Sequence, residues 1–333
     1  MKPFAYVRPE RTEEAIAYLA AHPDARFLAG GTNLVDLMKL GVTDPPLLVD
    51  LGALPLDGVA RTPDGGLLIG ATARNSDVAA HPDVRTRYPV LSQALLAGAS
   101  PQLRNAATTG GNLLQRTRCP YFQDTSTPCN KRLPGSGCPA REGVHRDLAV
   151  LGHSTHCVAT HPSDMAVALA ALDAEVRLRG AGGERTVPVT AFHRLPDDRP
   201  DLDTVAAPGE LITGVTLPAP PAGALSAYRK ARDRTSYAFA LVSAALVLTV
   251  EDGQVGHAAL AFGGLAHKPW RARAAEEVLR GAPATTDTFQ RAADAELAAA
   301  EPLRDNGFKV RLARNLAVSL LGDLASRAAA AAP

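Results

Sequence analysis

Apolar positions recur at three- and four-residue spacing over residues 13–19, which predicts a helix with one buried side. Residues 27–29 read as a short buried strand, residues 34–40 as a second helix stopped by Gly41, and residues 47–51 as the next strand. Together they predict a compact β-α-β-type unit over 1–55. A second unit, 56–221, starts with a strand at 67–70, then helices at 76–80 and 90–97 and a Gly110-Gly111 turn. After that turn the period disappears. Residues 115–157 are rich in Pro, Gly, Arg and Ser, a loop too long to be idle in a compact domain. Regular structure returns with a helix at 163–172 and strands at 175–178 and 211–217, and ends at Pro218-Ala219-Pro220-Pro221, the expected domain boundary. In the last unit, 222–333, strands at 224–231, 238–250 and 254–263 precede helices at 272–279, 286–300 and 310–329. Strands grouped before helices predict an α+β module, with the alanine-rich tail from Ala328 expected to fray. No internal repeat is present.

Composition narrows the class rather than naming it. A chain of 333 residues exceeds the usual size of a single core, and 46% hydrophobic with 21% charged residues is ordinary for a soluble globular protein. A formal net charge of +1 argues against a general nucleic-acid footprint. No segment approaches eighteen uninterrupted apolar residues, so no membrane span is expected. The stretch Met1-Lys2-Pro3-Phe4-Ala5-Tyr6 lacks the apolar core of a secretory signal. The expectation is a cytoplasmic protein, or a periplasmic one if a signal-bearing partner exports it.

Candidate chemistry begins with glycine. Gly30-Gly31-Thr32-Asn33 joins a predicted strand to a helix start, and paired glycines let backbone approach a ligand with no Cβ in the way. The helix start adds unpaired N–H groups suited to a pyrophosphate, with Thr32 or Asn33 as its cap. Alone, this tetrapeptide is equally an ordinary turn, and it lacks the G-x-G-x-x-G spacing of a Rossmann site. Thr108-Thr109-Gly110-Gly111-Asn112 is a second turn of the same kind. Two of them predict a donor-lined cleft long enough for a dinucleotide.

The four cysteines form the other candidate site. Cys119, Cys129, Cys138 and Cys157 are all the cysteines of the chain, and no C-x2-C pair occurs among them. That spacing fits neither a zinc ribbon nor a ferredoxin run. A Pro- and Gly-rich loop can nevertheless fold four thiolates around one tetrahedral or cubane site. Arg116, Arg118, Lys131, Arg132, Arg141 and Arg146 outnumber Asp124, Glu142 and Asp147 nearby, which suits a site of net negative charge. From the residues alone, structural zinc and a pair of disulfides remain as alternatives.

The run 27–34, then Thr108-Thr109-Gly110-Gly111-Asn112-Leu113 and Pro162-Ser163-Asp164-Met165-Ala166, resembles the FAD-binding subunit of the xanthine dehydrogenase and carbon monoxide dehydrogenase family of molybdenum hydroxylases. The resemblance covers essentially the whole chain. It implies a PCMH-type FAD-binding fold, α+β overall: two α/β subdomains hold FAD between them, followed by a three-stranded antiparallel sheet with helices. By that resemblance Arg26, Phe27, Leu28, Ala29, Gly30, Gly31, Thr32, Asn33 and Leu34 wrap the pyrophosphate. Thr108, Gly110, Gly111 and Asn112 contact its other side, and Asp164 bonds a cofactor hydroxyl. Lys230 matches a cationic position near the flavin, with the adjacent Arg229 as its competitor. A few members, among them bacterial molybdenum aldehyde oxidoreductases, carry a cysteine-bearing insertion holding an extra [4Fe–4S] cluster. The runs 115–122, 128–132 and 134–138 look most like that version, which implies all four cysteines as ligands.

The implied function is electron transfer within a heterotrimer. A molybdopterin-binding large subunit would oxidise substrate, a [2Fe–2S] small subunit would pass electrons to FAD here, and an external acceptor would take them. No side chain of this chain need act as a catalytic acid or base. Rival readings are a non-catalytic assembly subunit with a structural metal, and a stand-alone PCMH-type FAD oxidase. His145, His153, His156 and His161 are expected in surface or supporting roles rather than as a mononuclear metal site. Trp270 is expected to pack the C-terminal module, and Tyr237 to pack in a core.

Overall fold

Three short strands, β1 (Ala5–Val7), β2 (Arg26–Leu28) and β3 (Leu47–Asp50), form the first sheet of a computed structural model that describes residues 1–331. The central β3 pairs in parallel with both neighbours. Parallel pairing needs crossovers, which α1 (Thr12–Ala21) and α2 (Leu34–Lys39) supply. Ala15, Ile16, Leu47, Val49 and Leu51 close a small core under this sheet.

The second sheet contains β4 (Val59–Arg61), β5 (Leu67–Gly70), β6 (Glu175–Gly180), β7 (Gly183–Pro188) and β8 (Leu211–Leu217). Its order is β4-β5-β8-β6-β7, and every pairing is antiparallel. The outer strands β4 and β7 are mostly exposed, so neither carries a buried alternation that a sequence reading could detect. Between β5 and β6 come α3 (Asn75–Ala80), α4 (Pro82–Arg87), α5 (Pro89–Ala97), α6 (Pro101–Ala106), α7 (Thr109–Leu113), α8 (Pro120–Gln123) and α9 (Asp164–Ala171). Proline opens α4, α5, α6 and α8, where its missing N–H leaves no bond unmade. This punctuation divides residues 75–106 into four short helices where hydrophobic spacing predicts two. α10 (Val189–Phe192) follows β7.

The third sheet has four strands, not the expected three: β9 (Leu225–Ala231), β10 (Val242–Glu251), β11 (Gln254–Gly263) and the short β12 (Trp270–Arg271). β12 pairs only Trp270 and Arg271 with Phe262 and Ala261, too short a run to show a period. α11 (Arg273–Leu279), α12 (Thr286–Leu297) and α13 (Phe308–Ala331) cover one face. The inner strand β10 is buried on both faces. Ala244, Leu246 and Leu248 meet those helices, while Ala245 and Val247 join the core around α5 and α9. Residues 238–241, expected to be strand, run alongside the cleft described below. The helix predicted to fray continues to Ala331, and residues 332–333 lie outside the described residues.

The cysteine-bearing segment has little regular structure besides α8 and one 3-10 turn, Pro139–Arg141. Other parts of the chain hold it in place. Lys309, fully buried, donates to Asp147 O at 3.0 Å, to Leu148 O at 2.8 Å and to Gly264 O. Burial pushes this ammonium down to about 7. Trp270 packs in the C-terminal core as expected, its indole N–H bonded to Glu296 Oε1 at 2.6 Å. Among the described residues no helix is long and apolar enough to cross a membrane.

Candidate functional site

The two glycine turns meet where the first unit packs on the second. A Cβ on Gly30 would stand 1.9 Å from Ala106 O, so only glycine allows this contact. Gly31 adopts φ +71°, a left-handed conformation that turns the chain into α2. Neither Thr32 nor Asn33 caps that helix. Asn33 Oδ1 instead accepts the Arg116 N–H at 2.9 Å, which ties the first turn to the chain leaving α7. With six residues α2 has a slight dipole, so its turn offers individual backbone N–H groups rather than a strong helix end. On the other side Thr108 caps α7, its hydroxyl accepting Gly111 N–H at 3.3 Å. Asn112 Oδ1 takes bonds from Ser163 Oγ at 2.6 Å and Gln115 Nε2 at 2.8 Å, which fixes its amide plane.

Between these turns lies a cleft of about 770 Å³, lined in part by Gly31, Thr32, Asn33, Gly111, Asn112 and Asp164. That volume falls within the roughly 300–1,000 Å³ of small-molecule sites. Several buried polar atoms on its wall, among them Asn33 Nδ2, Asn75 Oδ1 and Arg118 Nε, have no partner within the protein. A long, polar ligand spanning both units would satisfy them, so the residues present fit a dinucleotide. The remaining residues of the first predicted loop do not line the cleft. Arg26 turns away to Pro23 O and Ala25 O, and Phe27 packs under the first sheet. Leu28, Ala29, Gly30 and Leu34 are not among the residues lining the cleft, and Thr108 and Gly110 are buried in the second turn. Sequence reasoning missed Asn75 and Arg118, whose relevance depends on a fold that brings α3 and the cysteine loop to the same wall. Tyr237, expected in a core, is 56% exposed at the cleft with φ +51°.

Strand geometry separates the two candidate cations. Successive side chains of β9 point to opposite faces. Arg229 therefore reaches α13, bonding Ser319 Oγ at 2.8 Å and pairing with Asp323. Lys230 faces the cleft, bonds Asp164 Oδ2 at 2.7 Å and Ala97 O at 3.2 Å, and is buried with its partner. Tyr228 donates its hydroxyl to Asp164 Oδ1. Burial, followed by the Asp164 carboxylate, pushes that phenol well above its ordinary range, so it remains a donor. Lys230→Met is expected to strand a buried carboxylate and cost about 3–5 kcal/mol. Arg229→Met should cost about 0–1 kcal/mol, as exposed pairs do. Denaturant midpoints of the two variants compare them directly, and equal losses would contradict this assignment.

The four cysteines come together. All are free thiols, and all line one small pocket with Tyr121 and Phe122. Cys119 lines both this pocket and the cleft. Burial pushes the Cys119 thiol up to about 11. Cys138 is drawn down to about 6 by a hydrogen bond from Cys157, whose own thiol is raised in return. Among the described residues no group of three or more His, Cys, Asp or Glu side chains stands in metal-holding geometry. The donor set itself, four soft sulfurs on one pocket, suits a thiolate-ligated cluster or zinc. Disulfides, the third alternative, are not formed.

The histidines take supporting places. His145 is buried between Ala140 O at 3.2 Å and the Asp305 N–H at 3.1 Å, and His153 Nε2 meets Glu301 O at 2.7 Å. Beside the cysteines, Asp203 receives Arg116 Nε at 2.6 Å and pairs with buried Lys131, which also donates to Pro200 O at 2.7 Å. Burial alone would raise this carboxyl, but Lys131 and Arg116 outweigh it and hold it well below the ordinary range. A depressed carboxyl stabilises the fold above the unfolded-state value and loses that contribution as pH falls through the folded one. The stability advantage of the wild type over Asp203→Asn should therefore be full at pH 7 and shrink below about pH 4. Unfolding titrations across that range check it, and a constant difference would refute it.

Comparison with known proteins agrees with this geometry. A family model described as the FAD binding domain in molybdopterin dehydrogenase matches residues 2–220, and the CO dehydrogenase flavoprotein C-terminal domain matches residues 226–328. The aldehyde oxidoreductase FAD-binding subunit of Escherichia coli (strain K12) is 52% identical over 330 residues, spanning 98% of this chain and 100% of that one. The carbon monoxide dehydrogenase medium chain of Hydrogenophaga pseudoflava is 28% identical over 304 residues, covering 91% of this chain and 88% of that one. A solved structure of carbon monoxide dehydrogenase from the same organism superposes with a TM-score of 0.78 at 28% identity, covering 98% of each chain. With both glycine turns on one cleft and both models matched nearly end to end, the chain belongs to the family of FAD-binding subunits of molybdenum hydroxylases.

Proposed function

We propose that this chain binds FAD in the cleft between its glycine turns and carries electrons as one subunit of a multi-subunit molybdenum hydroxylase. The observation that carries the reading is the meeting of both turns on one cleft with unpartnered polar atoms in its wall. Gly31 and Gly111 let backbone approach the cofactor, and Asn33 and Asn112, each held by a neighbour, present fixed amides. Lys230 and Arg118 bring positive charge to a dianionic ligand, with Asp164 holding Lys230 in place. Bound FAD supplies reversible transfer of one or two electrons, chemistry that no side chain here provides. The identity to an aldehyde oxidoreductase subunit favours an aldehyde-oxidising complex. Its other members would be a molybdopterin-binding large subunit and a [2Fe–2S] small subunit, with an external acceptor taking the electrons.

We further assign Cys119, Cys129, Cys138 and Cys157 as ligands of a [4Fe–4S] cluster. Four free thiols on one pocket match the ligand number of such a cluster, and Lys131 and Arg118 lie close enough in sequence and space to offset its charge. Absorption spectroscopy and metal analysis of the purified complex test both assignments. Flavin bands over broad iron–sulfur absorbance, with two copurifying subunits, are expected. A colourless protein containing zinc would identify an assembly subunit instead, and a yellow monomer a stand-alone oxidase.

A further inference from the structure

A second cavity, of about 250 Å³, lies between the cysteine pocket and the cleft. It shares Lys131 with the pocket and Gln115, Thr160 and His161 with the cleft, and it reaches the surface at Asp201 and Leu202. His161, His193 and His267 turn onto it from three separate stretches of chain. His193 Nε2 must donate to Leu113 O at 2.8 Å, which leaves the lone pair on Nδ1. The Ser163 N–H donates to His161 Nδ1 at 3.3 Å, which puts the proton of that ring on Nε2. His161 Nε2, His193 Nδ1 and both ring nitrogens of His267 are buried without a partner in the protein.

Four unpaired imidazole nitrogens around a polar space need an occupant. They offer donors and acceptors together, which suits water rather than an anion or an apolar ligand. At about 30 Å³ per molecule the cavity holds several waters, each with polar partners on the wall. Burial keeps the rings neutral, drawing His193 down to about 4 with Lys268 acting in the same sense, and His267 down to about 3 with Lys131 and His153 doing so, while the Asp203 carboxylate opposes both shifts. Neutral imidazole takes a proton at one nitrogen and releases one at the other. His267, engaged no more than loosely by the Ala159 backbone, can do so, whereas His161 is held by Ser163 and can only orient water where the two cavities meet.

Resting on the flavin reading above, this arrangement has a use. Full reduction, FAD + 2 e⁻ + 2 H⁺ → FADH₂, consumes two protons, and iron–sulfur donors deliver electrons without them. We propose that the second cavity is a hydrated inlet carrying those protons from solvent at Asp201 and Leu202 to the cleft, with His267 as relay and His161 as the residue positioning water at the junction.

A high-resolution crystal structure of the complex should show ordered waters bonded to His161 Nε2, His193 Nδ1 and His267, and a dry cavity would overturn the proposal. In solution, flavin bleaching after a flash-generated one-electron donor would be followed in H₂O and D₂O. His267→Phe, which keeps ring volume but removes both nitrogens, should slow it at least about tenfold with a larger isotope effect and unchanged flavin content. His267→Gln preserves polarity without a relay and should behave alike, while added imidazole should restore the rate in His267→Ala. Wild-type rates in the flavin-loaded variants would refute the inlet. Absence of flavin from the wild-type complex would instead refute the reading beneath it.

Discussion

Replacing Gly30 with alanine is expected to strip flavin from the protein and to destabilise it by about 1–3 kcal/mol. The added Cβ would stand 1.9 Å from Ala106 O, 2.6 Å from Ala106 C and 3.0 Å from Ala107 Cα. All three are backbone atoms, so no side chain can swing aside. The first unit must then move off the second, and the two turns lining the cleft separate. The usual gain from replacing glycine, about 0.4–1 kcal/mol through the unfolded chain, is too small to compensate. Gly58→Ala is the control, because a Cβ there meets nothing within 4 Å and should change stability by less than about 0.5 kcal/mol. The ratio of flavin to protein absorbance after gel filtration, with a denaturant midpoint, measures both effects. Full retention of flavin by Gly30→Ala would show that the close approach of the turns is not what shapes the site.

Loss of any one cysteine should have an effect of similar size on the other site. Cys157→Ala is expected to take iron from about four atoms per protein to near none, with matching loss of inorganic sulfide. Burial holds Cys119 protonated up to about 11, so that thiol ionises near neutral pH only when a cation replaces its proton. On the proposed assignment, cluster binding is coupled to folding in this segment. Residues 115–160 contain only α8 and one 3-10 turn, and apart from the proposed cluster they are held by scattered side-chain bonds, among them Lys131–Asp203, Arg118–Asp36, Arg132 to the Tyr121 and Phe122 carbonyls, and those of Asn306 and Lys309. Protease should therefore cut this segment in the variant and spare it in the wild type. Four single alanine variants that all keep their iron would remove the cluster from this pocket.

Much of this protein is written locally. Paired glycines between a strand and a helix, four cysteines confined to one loop and apolar spacing in the long elements each lie within one window of sequence. Hydrogen bonds and side-chain periodicity act over that range. Hence the order of the larger elements, the two turns and the cysteine segment were legible. Short elements were not: the exposed edges β4 and β7 and the two-residue β12 bury too little to leave a pattern.

Packing decided the rest. Arg229 and Lys230 are adjacent cations in sequence, and only the placement of β9 between α13 and the cleft tells them apart. Tyr237 stands on the cleft rim because residues 238–241 leave the sheet there. His161, His193 and His267 share a cavity only because three distant segments converge on it. A sequence window records which conformation each stretch prefers. Which stretches touch is settled by how the buried faces of the three sheets fit together, and the cleft and both cavities lie where those stretches meet.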